Sequence, residues 1–185
     1  MRAASGLAAL AVIALLASAG VGASLSPYAG QETREIKALS AQEVDDLLNA
    51  RGMALAKAGE LNGYPGPLHT IEMAADLGLT PDQLRAVREI KARVDAAAIP
   101  IGTEIVAREK ELDQLFAGGA ITKPRLDIVM ATLGELQGKL RGIHLAAHLE
   151  TKALLNAQQI ARYNQLRGYT SGGAPVHDPG RTHGG

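Results

Sequence analysis

The chain has 185 residues, no cysteine and no tryptophan, and its 19 basic side chains balance its 19 acidic ones. The lack of cysteine excludes disulfides, thiolate nucleophiles and cysteine-based metal sites. The balanced charge gives no electrostatic reason to expect nucleic acid as a partner. Hydrophobic residues make up 46% of the chain but aromatic residues only 3%. Because alanine and leucine carry the apolar content, the composition predicts thin, closely packed helices and an all-α fold.

Residues 1–23 are predicted to be a signal peptide. Arg2 is their only charged residue, residues 7–19 are apolar, and Val21-Gly-Ala23 has the small side chains of a cleavage site. An uncleaved anchor is the alternative, because residues 3–25 are just long enough to span a bilayer. In both cases the rest of the chain is expected outside the cytoplasm. An exported helical protein without cysteine indicates the periplasm, with membrane attachment only if the segment is retained.

Residues 24–67 are predicted to contain a polar lead-in, one helix and a loop. The helix should run from Ala41 to about Leu61, because its apolar residues follow helical spacing, although Gly52 interrupts its interior. The proline and glycine residues of 62–67 should then end it. A brief helix is expected from about Leu68 to Leu77, followed by a glycine that can terminate it.

Residues 68–167 are predicted to form a helical hairpin domain. Its two long helices should run from Pro81 to Phe116 and from Lys123 to about Leu154, since both carry apolar stripes at three- and four-residue steps. Two glycines between them allow the chain to reverse, which predicts an antiparallel hairpin with coiled-coil-like packing. Pro100 predicts a bend in the first long helix. The glycine- and proline-rich residues 168–185 are predicted to be a disordered tail.

Two helix starts in this domain carry the same capping motif. In Leu79-Thr-Pro-Asp-Gln83 a threonine precedes the helix, and a glutamine three residues later can reach back to the backbone N–H of the cap. Leu155-Asn-Ala-Gln-Gln159 repeats the arrangement with asparagine as the cap. Capping boxes are common, so the pattern alone predicts structural caps and not ligands. These predicted caps are Thr80, Gln83, Asn156 and Gln159.

The two boxes around a long hairpin in an exported chain resemble the Spy/CpxP family of periplasmic stress proteins, whose LTxxQ motif the first box matches in full. Asn156 replaces threonine in the second box, and Ile160-Ala-Arg-Tyr163 resembles the family's ending. The resemblance implies an all-α fold that dimerises through antiparallel hairpins into a curved cradle. Some members are ATP-independent chaperones for unfolded clients. Others, including zinc-resistance-associated proteins and periplasmic heavy-metal sensors, bind divalent metals and modulate a stress or resistance pathway.

His144 and His148 are the main candidate metal ligands. Four residues apart on a helix, they lie one turn apart on one face, a spacing that can bring two imidazoles to one zinc, copper, nickel or cobalt ion. They are expected on the flank of the apolar stripe, where the alternative is that both are interfacial histidines without a metal. Zinc would require a further protein ligand. The possible additional ligands are His69, Glu150, Glu104 and Glu109.

The sequence leaves two functions open and predicts no enzyme, since it has no phosphate-binding glycine loop, nucleophile elbow or paired acidic motif. The first is a periplasmic chaperone or adaptor that needs no cofactor and binds unfolded clients or an envelope signalling protein. The second is a sensor or resistance protein for divalent heavy metals. A two-helix hairpin buries little core, which predicts a homodimer. Candidate client contacts are the apolar residues beside the main stripes, Ile99, Val106, Met130 and Leu145.

Overall fold

The structure, a computed structural model, describes residues 26–169, which are mostly helical and contain no strand. The predicted all-α class is therefore confirmed. Residues 26–32 form turns that belong to a separate unit, and residues 33–169 form one compact unit. The helices of this unit are α1 (Ala41–Leu48), α2 (Lys57–Glu60), α3 (Pro67–Glu72), α4 (Pro81–Ala117), α5 (Lys123–Leu154) and α6 (Ala157–Leu166).

The predicted signal peptide and the tail from residue 170 onwards lie outside the described residues. Within residues 26–169, none of the helices is both long enough and apolar enough to cross a membrane.

The two long helices begin and end within one residue of their predicted positions. Thr80 caps α4, because its hydroxyl accepts from the Gln83 backbone N–H while the Gln83 side chain accepts from the Thr80 N–H. Thr122 caps α5 by accepting from the Arg125 N–H. Helix α4 continues through Pro100, so the bend expected there stays a prediction.

The core lies between α4 and α5, and α1 packs against α4. Gly102 makes this second contact possible, since a Cβ atom at that position would lie 2.1 Å from the carbonyl oxygen of Leu47 in α1. No side chain fits in that space without moving a backbone. The buried cluster consists of Leu47, Ala50, Ile90, Val94, Ala98, Ile105, Val129, Leu133, Leu140 and Ala147.

The predicted helix from Ala41 to about Leu61 is wrong. Helix α1 ends at Leu48, and turns lead from there to α2. Ala50, Met53 and Ala54 have φ values of 50°, 43° and 59°, and a right-handed helix excludes positive φ. These turns bury Ala50 in the core. The brief helix expected from about Leu68 to Leu77 is also shorter, because α3 ends at Glu72 and turns follow.

Candidate functional site

The two capping boxes meet through their glutamines. Gln83 Nε2 donates to Gln159 Oε1 and Gln159 Nε2 donates to Gln83 Oε1, both at 3.0 Å. Gln83 Nε2 also donates to the Leu154 carbonyl at 2.8 Å, which brings the start of α4 to the end of α5. Asn156 caps α6 in a complete capping box with Gln159. This reciprocal pair, the glutamine clamp (Gln83 and Gln159), therefore joins two helix starts in addition to capping each of them.

A small cavity of about 110 Å³ is lined by three of the six candidate ligands. His69 is on α3, and His144 and His148 are on α5. The sequence did not show that His69 would reach the other two, because the turns around α2 and α3 carry it there. We call this space the histidine cavity, and its remaining lining consists of Ala50, Gly52, Gly66, Pro67, Leu68, Lys91, Val94 and Ala147.

His144 lies inside the core and not on its flank, so the predicted position was wrong. His144 is only 7% exposed and lies on the same face of α5 as Leu140 and Ala147. Burial, with smaller contributions from His148 and Lys91, holds the pKa of His144 below its usual value. The imidazole is therefore neutral at pH 7, and its Nε2 atom has no hydrogen-bond partner. A buried polar atom without a partner costs free energy, and such an atom calls for a functional explanation.

His148 is held by the segment that precedes α3. Its Nδ1–H donates to the Tyr64 carbonyl oxygen at 2.7 Å, so in the neutral ring the lone pair is on Nε2. Gly66 packs so closely that a Cβ atom there would lie 2.9 Å from Cε1 and Nε2 of this ring. His69 is oriented in a similar way, since its Nδ1 lies 2.9 Å from Glu72 Oε2. In each ring, Nδ1 thus lies within hydrogen-bond distance of an oxygen acceptor, and Nε2 is the nitrogen that remains for another ligand.

The acidic candidates lie elsewhere. Glu150 pairs with Arg93 on an exposed surface, and Glu104 pairs with Arg108 on α4. Glu109 lines a separate apolar groove, where burial raises the pKa of its carboxyl group. Across residues 26–169, no three histidine, aspartate or glutamate side chains are grouped so that they could hold a metal ion. The histidine cavity thus offers imidazoles in one place without a converged ligand set.

A second buried network lies next to His148 and was not predicted from the sequence. Glu60 Oε1 accepts hydrogen bonds from Tyr163 OH at 2.7 Å, from Arg167 Nε at 3.2 Å and from Tyr169 OH at 3.2 Å. Burial and the Glu60 carboxylate raise the pKa of Tyr163 well above its usual value. The sequence indicated Tyr163 only as part of the run that resembles the ending of the Spy/CpxP family, and its acidic partner is 103 residues away.

The apolar residues expected beside the main stripes have different surroundings. Ile99 and Met130 are 38% and 48% exposed, whereas Val106 packs against the core. Leu145 lines a small apolar cavity beside His148. Other exposed apolar side chains flank the turn between α4 and α5, where Phe116 is 57% and Ile128 is 68% exposed. Away from this turn, Leu149 and Leu61 are exposed to a similar degree. We call Phe116, Ile128 and Met130 the loop end.

Comparison of this chain with protein-family models, curated proteins and solved structures gave no match. The glutamine clamp, the histidine cavity and the loop end are therefore the features from which a function can be inferred.

Proposed function

We propose that this chain is an exported Spy/CpxP-like stress-response protein that binds unfolded or partner proteins as an ATP-independent chaperone or adaptor. The glutamine clamp carries this proposal, because two boxes that are 76 residues apart meet in one reciprocal pair. Such a meeting supports an antiparallel hairpin of α4 and α5, as does the ion pair between Arg93 and Glu150. The resemblance to the Spy/CpxP family that the two boxes suggest implies both the hairpin and the client-binding role. Client binding needs no catalytic group.

The loop end is the surface that we assign to clients. Unfolded chains expose apolar side chains, and the exposed apolar side chains of the loop end are complementary to them. A homodimer would extend such a surface into the cradle that the resemblance implies. Gly134, Gly138 and Gly142 support close approach of a second helix, since Cβ atoms at these positions would meet open space. Sedimentation velocity of the mature chain tests the dimer, and a monomer at micromolar concentration would contradict it.

An aggregation assay tests the client-binding role. The mature chain should suppress aggregation of a thermally unfolded client at stoichiometric amounts, and Phe116→Ser combined with Ile128→Ser should abolish most of this suppression. Leu149→Ser is the matched control, because Leu149 is a 60% exposed residue of α5 away from the loop end. Equal suppression by the wild type and the double variant would remove the loop end as the client surface, and no suppression by the wild type would remove the chaperone role.

The second candidate function, a divalent heavy-metal sensor or resistance protein, is favoured by the histidine cavity. Imidazole nitrogen is a preferred ligand of zinc, copper, nickel and cobalt. Ligating histidines usually donate their other N–H to a carbonyl or carboxylate oxygen, and His148 and His69 have such partners in Tyr64 and Glu72. The neutral, unpartnered nitrogen of His144 would need no deprotonation before binding. The three imidazoles fit such an ion in chemistry, and the cavity would have to contract for them to bind it together.

Calorimetry with zinc, copper, nickel and cobalt tests this second function. The protein should carry His177→Ala and His183→Ala, so that tail histidines do not contribute heat. Substitution of His144 or His148 by alanine should weaken binding at least about tenfold, as loss of one of few ligands does. Binding that does not change in either variant would exclude the histidine cavity as the metal site, and absence of heat with all four metals would exclude the function.

A further inference from the structure

Residues 57–66 enclose His148 from one side, and we call them the lid. The Tyr64 carbonyl accepts the Nδ1–H of His148, and Gly66 lies against the other edge of the ring. Gly59 packs on the same side chain, since a Cβ atom at Gly59 would lie 3.5 Å from the His148 Cβ. Any molecule that reaches the His148 ring from this side must displace the lid.

The lid is fastened to α6 through one carboxylate. Glu60 Oε1 receives its three hydrogen bonds from Tyr163, Arg167 and Tyr169. Tyr163 OH also accepts from the Gly66 N–H at 3.2 Å, so both ends of the lid are tied to the same helix. Hydrogen bonds to an ionised carboxylate are about twice as strong as those between neutral groups. We call these four residues, Glu60, Tyr163, Arg167 and Tyr169, the latch.

The chain that leads into the lid is strained. Ala50, Met53 and Ala54 all occupy the left-handed region, which is unfavourable for residues with a side chain. Three such residues in five positions persist only where contacts elsewhere hold the chain in place. Ala50 is held by the core, whereas Ala54 is exposed and leads directly to the lid. Met53 and Leu55 pack against the core and Ala56 is buried, so release of the latch would free residues 57–66 and leave the strained segment in place.

We propose that residues 57–66 act as a lid whose closure over His148 is controlled from α6 by the latch. This control would connect the lid to α4 as well, because the glutamine clamp also holds α6 to α4. A partner that binds residues 167–169 and draws Arg167 or Tyr169 away from Glu60 would free the lid and uncover the side of His148 that faces Gly59 and Tyr64. Lys152 opposes opening from the α5 side, since its ammonium group lies 3.5 Å from the centre of the Tyr64 ring.

Chemical modification of histidine by diethylpyrocarbonate, read at each residue by peptide mass spectrometry, tests the lid. Tyr169→Phe and Arg167→Ala should each accelerate modification of His148 about tenfold, because each removes a hydrogen bond to a charged group. Arg162→Ala, at an exposed position of the same helix, is the matched control and should have no effect. His69 gives an internal reference, since its side chain is already 36% exposed and is held by Glu72 within α3.

Amide hydrogen exchange separates lid opening from unfolding. In the latch variants, exchange should accelerate in residues 57–66 and stay unchanged in the centres of α4 and α5. An unchanged His148 rate in both variants, or acceleration that includes Val94 and Leu133 equally, would overturn the proposal. If Arg167→Ala does not fold, Tyr169→Phe decides alone, because it removes one hydroxyl group. The measurement contains neither metal nor client, so its outcome is independent of either proposed function.

Discussion

The molecule differs between its base end, where α3 packs on α4 and α5 and the glutamine clamp joins α6 to α4, and its loop end. The buried polar residues found among residues 26–169 are Thr70, His144, Thr151 and Gln159, all at the base end. None of these four lies at the loop end, where Phe116, Ile128 and Met130 are exposed; exposed apolar side chains towards the base end are Leu61, Leu68, Leu149 and Leu166. A buried polar group without a partner costs free energy, and Thr70, Thr151 and Gln159 have their partners whereas Nε2 of His144 has none. Apolar exposure requires no partner within the chain and leaves the loop end available for binding.

The largest effect is expected away from both ends, where α1 packs against the middle of α4. Gly102→Ala should lower the free energy of unfolding by about 3 kcal/mol, because the added methyl group collides with the Leu47 backbone. Gly52→Ala, in the turns after α1, is the matched control and should change stability by less than about 0.5 kcal/mol, since its Cβ would meet open space. Urea denaturation measures both, and a neutral Gly102→Ala would mean that α1 does not pack there.

The glutamine clamp should give the next effect. Gln159→Ala leaves the Asn156 N–H and part of the Gln83 amide without partners, which costs about 2 kcal/mol for buried groups. Its neighbour Gln158 is exposed, so Gln158→Ala should change stability by less than about 0.5 kcal/mol. Denaturant midpoints of the two variants compare them directly. If the two substitutions cost the same, the clamp contributes nothing beyond local helix propensity.

Acid should weaken the base end through His144. Its pKa in the folded protein is below the unfolded value, so both states are neutral above about pH 6.5 and the unfolded state takes up a proton first below it. The free energy of unfolding should then fall by at most about 1.4 kcal/mol per pH unit, until the folded pKa is reached. The groups that face His144 are His69 on α3, Lys91 and Asp95 on α4, and His148 on α5.

His144→Leu isolates this contribution. The difference in unfolding free energy between wild type and variant should be constant above about pH 6.5 and should shift in favour of the variant at lower pH. Parallel stability curves from pH 7.5 to pH 5 would show that His144 takes up a proton equally well in the folded state, contrary to its burial.

Local chemistry made part of the fold predictable. Thr80 and Asn156 are caps whose partners lie three residues away, so the starts of α4 and α6 could be located from the sequence. The turns after Leu48 could not, because Ala50 and Met53 adopt positive φ for reasons of tertiary packing. The clamp itself was also beyond local reasoning, since each glutamine has a local role that fully explains its presence in a box.

The sequence predicted which histidines are candidate ligands, but it did not predict how deeply His144 is buried. The spacing of His144 and His148 indicated one face of α5, but the stripe on α4 was interrupted by Lys91. Lys91 pairs with Asp95 beside the core, and its neighbour Ile90 takes the buried position. His144 is buried on the face of α5 that carries Leu140 and Ala147, and only the packed helices reveal this burial. His69 lines the cavity because of the turns around α2 and α3, and such turns have no periodic sequence pattern from which their course could be predicted.

The smallest effect on stability is expected at the loop end, and it tests most directly the difference between the loop end and the base end. Ile128→Ser should change the free energy of unfolding by less than about 0.5 kcal/mol, because the side chain is 68% exposed. The same substitution at Ile90, which is 4% exposed, should cost more than about 3 kcal/mol. Thermal and urea denaturation at several protein concentrations measure both. A large cost for Ile128→Ser that grows with protein concentration would mean that a second subunit covers the loop end, and clients would then need another surface.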